Sequence, residues 1–105
     1  MRHLKVHGDL ESTGLWDETT HLEVDPRDLS LPDSITRRLY QLVKDYDRII
    51  PLPMEARAAQ PVQEEIRAID ERGVELTREI AGLLGMQFKV HYYSEGLLKG
   101  LIDAV

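Results

Sequence analysis

Four histidines are the first residues whose chemistry could serve a function, because imidazole is the commonest side-chain ligand for metals. His3 and His7 are predicted to project from the same face of one strand, and His91 belongs to a second predicted strand that could be its neighbour. Residues four apart on a strand are separated by roughly 13 Å, whereas zinc needs nitrogen ligands at about 2.0–2.1 Å. The alternating lysines, Lys5 and Lys89, further disfavour a cation. We therefore predict no metal site and expect these histidines to face solvent.

Adjacent carboxylates are the next candidates, since two carboxyl groups with separated pKa values can act as general acid and base. Such pairs occur at Asp17-Glu18, Glu64-Glu65 and Asp70-Glu71. The last two pairs fall on a predicted helix, away from its apolar seam, so we expect them to be solvated rather than desolvated as catalysis requires. No nucleophile with a base, glycine-rich phosphate loop or calcium loop accompanies them. The sequence therefore predicts a protein that is not an enzyme and needs no cofactor.

The strongest functional signal is the acidic segment, which we define as residues 9–33. It contains eight acids and one base, whereas the other eighty residues contain eleven acids and twelve bases, so the net charge of −6 arises here. A negative segment repels nucleic acid and anionic membranes and attracts basic surfaces. We therefore expect a basic protein partner.

Trp16 lies among these acids, and an aromatic side chain with a charged rim is typical of a protein-binding hot spot. The alternative is that Trp16 only anchors the loop to the core and that the acids only maintain solubility. On the first interpretation, the predicted partner-binding residues are Asp9, Glu11, Trp16, Asp17, Glu18, Glu23, Asp25 and Asp28.

The composition is that of an ordinary globular domain. The 105 residues are 42% hydrophobic and 30% charged, which suits a single domain over residues 1–105. The absence of cysteine excludes disulfides and thiolate metal sites. No apolar run is long enough to span a bilayer, and residues 1–7 lack the apolar core of a signal peptide. We expect a cytoplasmic protein.

Two long amphipathic helices should position these residues. Apolar or small residues with alternating steps of four and three define a seam over residues 62–84, with Gly85 as a C-terminal cap. A matching stripe covers residues 35–50, and Ser30 is the predicted N-cap of that first helix. Gly73 lies on the seam, where it costs about 1 kcal/mol relative to alanine. We expect close approach of the first helix to compensate.

Alternating apolar residues predict strands over residues 3–7 and 88–93, with a weaker pattern over residues 21–24. The apolar stripe of residues 97–105 predicts a short helix. The predicted fold is therefore α+β. A small sheet of two or three strands, with the N- and C-terminal strands together, packs on two long helices, and a short C-terminal helix follows.

Several fragments, taken in order, resemble a known kind of protein. They are Leu15-Trp16-Asp17-Glu18, Asp25-Pro26-Arg27-Asp28-Leu29-Ser30-Leu31-Pro32, Tyr46-Asp47, Ile69-Asp70-Glu71-Arg72-Gly73-Val74-Glu75-Leu76 and Val90-His91-Tyr92. As a set spanning residues 14–93, they resemble small bacterial proteins of the immunity or accessory type, including those encoded beside secreted toxins. The resemblance implies no catalytic residues. The chain departs from this pattern after Tyr93, where an apolar tail continues.

Three functional hypotheses follow, of which the third, an enzyme or metal protein, is disfavoured by the absent motifs and by the spacing of the histidines. The first is a non-enzymatic immunity protein that neutralises a basic toxin such as a nuclease, because a cleft that holds phosphates is positive and complements the acidic segment. The second is a structural or regulatory homo-oligomer, most simply a homodimer, that assembles through the apolar stripe of residues 97–105.

Overall fold

A mixed four-stranded sheet with two long helices is the framework of this protein. The computed structural model describes residues 1–103. Its strands and helices are β1 (Arg2–His7), β2 (Leu15–Asp17), α1 (Asp33–Tyr46), α2 (Met54–Arg57), α3 (Gln60–Leu84), β3 (Phe88–Ser94) and β4 (Lys99–Asp103). The predicted α+β class is confirmed, although the sheet has four strands rather than two or three.

The strand order in the sheet is β2-β1-β3-β4. The central strands β1 and β3 are parallel, with His3 opposite Lys89 and His7 opposite Tyr93, so the N- and C-terminal strands are together as predicted. A parallel pair needs a long crossover connection, and the segment that contains the helices provides it. The edge strands β2 and β4 are antiparallel to their neighbours.

Alternation along the central strands determines which side chains enter the core. Leu4 and Val6 of β1 and Val90 and Tyr92 of β3 are fully buried. They pack in one cluster with the apolar faces of α1 and α3, including the helix residues Ile35, Leu39, Ile66, Ile69 and Ile80. Burying each such side chain contributes about 1.5–3 kcal/mol, so this cluster holds the helices to one face of the sheet.

The predicted N-cap of α1 was wrong by two residues. The helix begins at Asp33 after Pro32, while Ser30 ends a preceding 3-10 turn over Pro26–Leu29. Ser30 has a positive φ of 58°, and its N–H reaches the carbonyl of Arg27. The physical reason is local, because Asp25 caps the 3-10 turn first and the turn then uses Ser30 for its own end.

Helix α3 confirms the predicted second helix, which starts at Gln60 and ends at Leu84, with Gly85 as the C-terminal cap at a φ of +76°. The expected neighbour of Gly73 was wrong. A Cβ added to Gly73 would lie 2.3 Å from Cε1 of Tyr92, so the glycine accommodates a β3 side chain and not α1. Its missing side chain lets α3 lie directly against the sheet.

The weak strand predicted over residues 21–24 was also wrong, apart from one bridge between Glu23 and Trp16. The second strand is instead β2, in which Leu15 is fully buried opposite Val6. By contrast, Leu22 is 66% exposed. Core contacts therefore selected the segment that could bury its leucine.

The predicted C-terminal helix is replaced by a hairpin of β3 and β4. Leu98 has a positive φ of 55° in the connecting turn, and both Leu97 and Leu98 are exposed. The free backbone groups along β3 supply pairing partners that an isolated apolar stripe does not reveal. The last two residues of the predicted helix, Ala104 and Val105, lie outside the described residues.

Among residues 1–103, the structure contains no helix with both the length and the apolar character that membrane crossing requires.

Candidate partner-binding face

The face of the sheet opposite the helices carries most of the unusual side chains. We call it the outer sheet face. Because alternate residues of a strand point to opposite sides, burial of Leu4 and Val6 directs their neighbours outward. The outer sheet face consists of residues from three strands and one turn. They are His3, Lys5 and His7 from β1, Trp16 from β2, Glu18 directly after β2, and Lys89, His91 and Tyr93 from β3.

His7 is the centre of an aromatic cluster on one half of this face. Its ring meets Tyr93 edge-on at 4.6 Å and lies 6.4 Å from Trp16. The Nε2 atom of His7 pairs with the carboxylate of Glu95, and the ammonium group of Lys5 lies 5.3 Å from the centre of the Tyr93 ring. These contacts fix a rigid amphipathic surface, which suits protein recognition.

Trp16 is half-buried in this cluster and is held by a hydrogen bond. Its indole N–H donates to the carbonyl oxygen of His7 at 3.2 Å. Its backbone is paired with Lys5 across β1 and β2. The side chain is therefore partly a loop anchor, as the alternative interpretation expected, and partly accessible to a partner.

The other half of the outer sheet face contains two histidines and a glutamate. The rings of His3 and His91 are nearly parallel, with centres 6.0 Å apart and planes inclined by 17°. Glu18 lies beside them, with its Oε2 atom 3.6 Å from Nε2 of His91. The sheet therefore brings together histidines 88 positions apart along the chain, and His7 is not part of this group.

Asp17 has a structural role within the predicted binding set. It is buried, and its carboxylate accepts hydrogen bonds from the N–H groups of Thr19 and Thr20 and from the Arg2 guanidinium at 2.8, 3.1 and 3.0 Å. The N–H of Thr20, followed by the Arg2 side chain, holds the pKa of Asp17 below its usual value. Asp17 therefore closes the turn after β2 as a carboxylate.

Three further acids of the set stabilise the loop. Asp25 accepts from the guanidinium and then from the backbone N–H of Arg27, and these hydrogen bonds lower the pKa of its carboxyl group. Asp9 accepts from the N–H of Leu10 at 2.8 Å. Glu23 accepts from the N–H of Thr13, also at 2.8 Å.

The structure brings together only half of the predicted binding residues. Asp9, Trp16, Asp17 and Glu18 line a depression of about 360 Å³ together with Lys5, His7 and His21. Glu11, Glu23, Asp25 and Asp28 lie outside its lining. Of these four, Glu11, Glu23 and Asp28 are exposed to solvent and extend the negative charge beyond the depression.

Sequence reasoning missed a buried polar network around Asp70. This residue was expected to be solvated, but it is only 4% exposed. The prediction that Asp70 is solvated was wrong because the spacing of the helix face was read too narrowly. Position 70 lies four residues after Ile66 and three before Gly73, so it belongs to the same buried face of α3. A broader apolar stripe on α3 would have placed Asp70 in the core.

Three hydroxyl groups donate to the Asp70 carboxylate. Tyr92 Oη and Ser94 Oγ each lie 2.6 Å from a carboxylate oxygen, and Tyr46 Oη bonds to the same oxygen as Tyr92. Burial raises the pKa of both tyrosines above the usual value, so both remain hydrogen-bond donors at neutral pH. The network joins α1, α3 and β3, and we interpret it as a structural cross-link.

The family comparison covers nearly all of these features. The sequence model of the family described as Serratia CdiI immunity protein-like matches residues 2–95, which include the outer sheet face, the acidic segment and the Asp70 network. No curated protein shows significant similarity to the chain. The match ends before β4, close to the point at which the sequence resemblance ended. The immunity type indicated by that resemblance is confirmed, and the chain belongs to the Serratia CdiI immunity protein-like family.

Proposed function

We propose that this protein is a non-enzymatic immunity protein that binds and neutralises a cognate toxin, and that the toxin is a basic protein of the nuclease type. The immunity role rests on one observation, the family match over residues 2–95. The nature of the toxin is inferred from charge, because a phosphate-binding cleft is positive and the acidic segment carries the excess negative charge of this chain.

The proposed contact surface joins the outer sheet face to the exposed part of the acidic segment. Trp16 provides an aromatic anchor already held by its bond to the His7 carbonyl, so little side-chain entropy remains to be lost on binding. Glu11, Glu23 and Asp28 supply an exposed negative rim that increases the association rate with a basic partner. Asp17 and Asp25 support the surface by holding the loop.

Charge reversal at the rim tests the proposed electrostatic complementarity. The toxin for this experiment is one encoded beside the gene, co-expressed in bacteria with the chain or its variants, and growth reports protection. The double variant Glu11→Lys and Asp28→Lys should slow toxin association about 10-fold at low salt and reduce its salt dependence. The matched control, Glu55→Lys and Glu71→Lys, makes the same change in net charge at exposed helix positions and should associate at nearly the wild-type rate.

Equal slowing by both double variants would show that net charge alone matters and would contradict the proposed surface. Protection by the wild-type chain without any salt-sensitive complex would contradict the basic nature of the toxin. Absence of both protection and a complex would contradict the immunity role for that toxin.

Replacement of Trp16 tests the proposed anchor. Trp16→Ala should raise the toxin Kd by about 30-fold or more, since hot-spot truncations cost at least about 2 kcal/mol. Trp16→Phe removes the bond to the His7 carbonyl but retains an aromatic ring, and it should weaken binding less. Urea unfolding of both variants separates loss of contact from loss of fold, and an unchanged Kd in folded Trp16→Ala would refute the anchor.

One observation favours the second hypothesis, self-association through the C-terminal segment. Leu97 and Leu98 are exposed, and Leu97 and Leu101 border a groove of about 630 Å³ beside α3. If the protein is a dimer in solution, as measured by sedimentation, the double variant Leu97→Glu and Leu98→Glu should be monomeric. A monomeric wild-type mass at high protein concentration would exclude this hypothesis.

A further inference from the structure

We propose that His3, Glu18 and His91 form a binding site for one divalent transition-metal ion of the zinc class. This site lies on the outer sheet face, but zinc binding to it can be measured without a toxin. Its observational basis is a cluster in which one ligand atom from each side chain lies within 4.8 Å of the other two. Two imidazoles and one carboxylate are a donor set that zinc uses when a fourth position remains open.

The distances between the three candidate ligand atoms are close to those found between the ligands of a bound zinc ion. In a tetrahedral zinc site, ligand atoms about 2.0–2.1 Å from the metal are about 3.4 Å from one another. Glu18 Oε2 and His91 Nε2 are already 3.6 Å apart. The other distances between ligand atoms are at most 4.8 Å, and small rotations of the side chains can shorten them to the tetrahedral value.

Paired backbones hold the three residues in place. His3 lies opposite Lys89 in the parallel pair of β1 and β3, so His91 is two positions further along the adjacent strand on the same face. The N–H of Glu18 donates to the carbonyl of His3 at 2.9 Å, which places the glutamate directly beside the first histidine. His3 and His91 therefore lie on paired strands, which position ligands more exactly than separate loops do, and this backbone bond ties Glu18 to the first of those strands.

Two lysines on this face oppose a cation, and their positions decide how strongly. The ammonium group of Lys5 lies over the Tyr93 ring at 5.3 Å, on the side of the aromatic cluster. Lys89 is exposed to water, where its charge is screened. The simpler alternative is that Glu18 and His91 form only an ion pair, in which His3 has no role.

Metal titration of the untagged, chelator-treated protein distinguishes these alternatives. Calorimetry with zinc chloride should show one equivalent bound, and cobalt(II) should give the visible absorption of a tetrahedral ion. His3→Ala, His91→Ala and Glu18→Gln should each weaken zinc binding at least about tenfold, because each removes one ligand. His21→Ala is the matched control, an exposed histidine outside the cluster, and should bind zinc as the wild type does.

Four results would overturn the site: no zinc binding by the wild-type protein, equal weakening by His21→Ala, wild-type affinity in His3→Ala, or wild-type affinity in Glu18→Gln. Circular dichroism and thermal unfolding of each variant show whether the fold is retained. Since zinc is the only ligand in this experiment, its outcome is separate from that of the toxin-protection assay.

Discussion

The acidic segment and the Asp70 network contain the same functional group in opposite surroundings. Asp70 is 4% exposed and accepts bonds from three neutral hydroxyls, whereas Glu11 and Asp28 lie in water. A buried carboxylate must be fully hydrogen-bonded to be tolerated, so it becomes a cross-link between elements. An exposed carboxylate needs no partner within the chain and remains available to another protein.

Asp17 is intermediate between these two extremes. It belongs to the acidic segment by position, but it is buried and bonded to Arg2 and to backbone amides. The role of each acid, structural or available for binding, therefore follows from its surroundings and not from its place in the sequence. We expect substitutions in the Asp70 network to change stability and substitutions at the exposed rim to change binding.

The largest effect on stability should come from Asp70→Ala. Loss of the carboxylate leaves three buried hydroxyls without their acceptor, and each unsatisfied group costs about 1–3 kcal/mol, so we expect a loss of about 3 kcal/mol or more. The exposed counterpart Asp28→Ala should change the free energy of unfolding by less than about 0.5 kcal/mol. Urea unfolding of both variants measures the difference.

An Asp70→Ala variant as stable as the wild type would reverse this interpretation. It would mean that the cost of burying the charge equals what its hydrogen bonds contribute, as happens for some buried ionic groups.

The next effect concerns two glycines of α3 that differ only in their surroundings. Gly73→Ala would place a methyl group 2.3 Å from the ring of Tyr92, which is held by its bond to Asp70, so we expect a loss of about 1–3 kcal/mol. Gly82 has nothing within 4 Å, and Gly82→Ala should stabilise the protein by up to about 1 kcal/mol through helix propensity.

Thermal or urea unfolding of these two variants tests the packing of α3 on β3. If both substitutions were stabilising, Tyr92 would be free to move, and the Asp70 network would be looser than its hydrogen bonds indicate.

The smallest expected effects are opposite pH dependences in the two regions. The depressed pKa of Asp17 means that its stabilisation is present above its unfolded pKa, near 4, and is lost as the pH falls through the lower folded value. The raised pKa of Tyr92 means that its stabilisation is present below its unfolded pKa, near 10, and is lost as the pH rises towards the folded value.

Urea midpoints across pH test this contrast. Asp17→Asn should be less stable than the wild type at pH 6, and the difference should shrink towards pH 2. Tyr92→Phe retains the ring beside Gly73 but removes the titrating hydroxyl, so its stability should fall less between pH 9 and pH 11. Parallel curves for either variant and the wild type would contradict the assigned role of that residue.

Periodicity predicted the helices and the central strands because these elements obey local rules. The seam of α3 and the alternation in β1 and β3 each follow from the repeat of one element, and Gly85 ends α3 as expected. The helix predicted over residues 97–105 was wrong because their apolar spacing fits a helix in isolation, whereas the free edge of β3 favours a paired strand. Pairing with another segment is not encoded in the periodicity of either segment alone.

The candidate sites, like the strands and helices, were predicted in part from local sequence and depended in part on contacts between distant segments. The acidic segment could be located by counting charges, but which acids are exposed depended on Arg2, Arg27 and the backbone amides of the loop. The sequence suggested that His91 lies on a strand beside that of His3, but not that the two meet Glu18, since this depends on the register of β1 against β3 and on the turn after β2. The spacing of residues along one strand separates His3 from His7 but does not fix the register of the neighbouring strand.

The fragments that carried the sequence resemblance also acquire a physical meaning in the fold. Tyr46, Asp70, Gly73 and Tyr92 come from three separate fragments and meet at one place in the core. The sequence by itself determined the fold class, the two long helices and the charge of the acidic segment, because these depend on local period and composition. The tertiary structure alone decided which carboxylates are cross-links and which histidines are neighbours, because burial and strand register arise only when distant segments pack together.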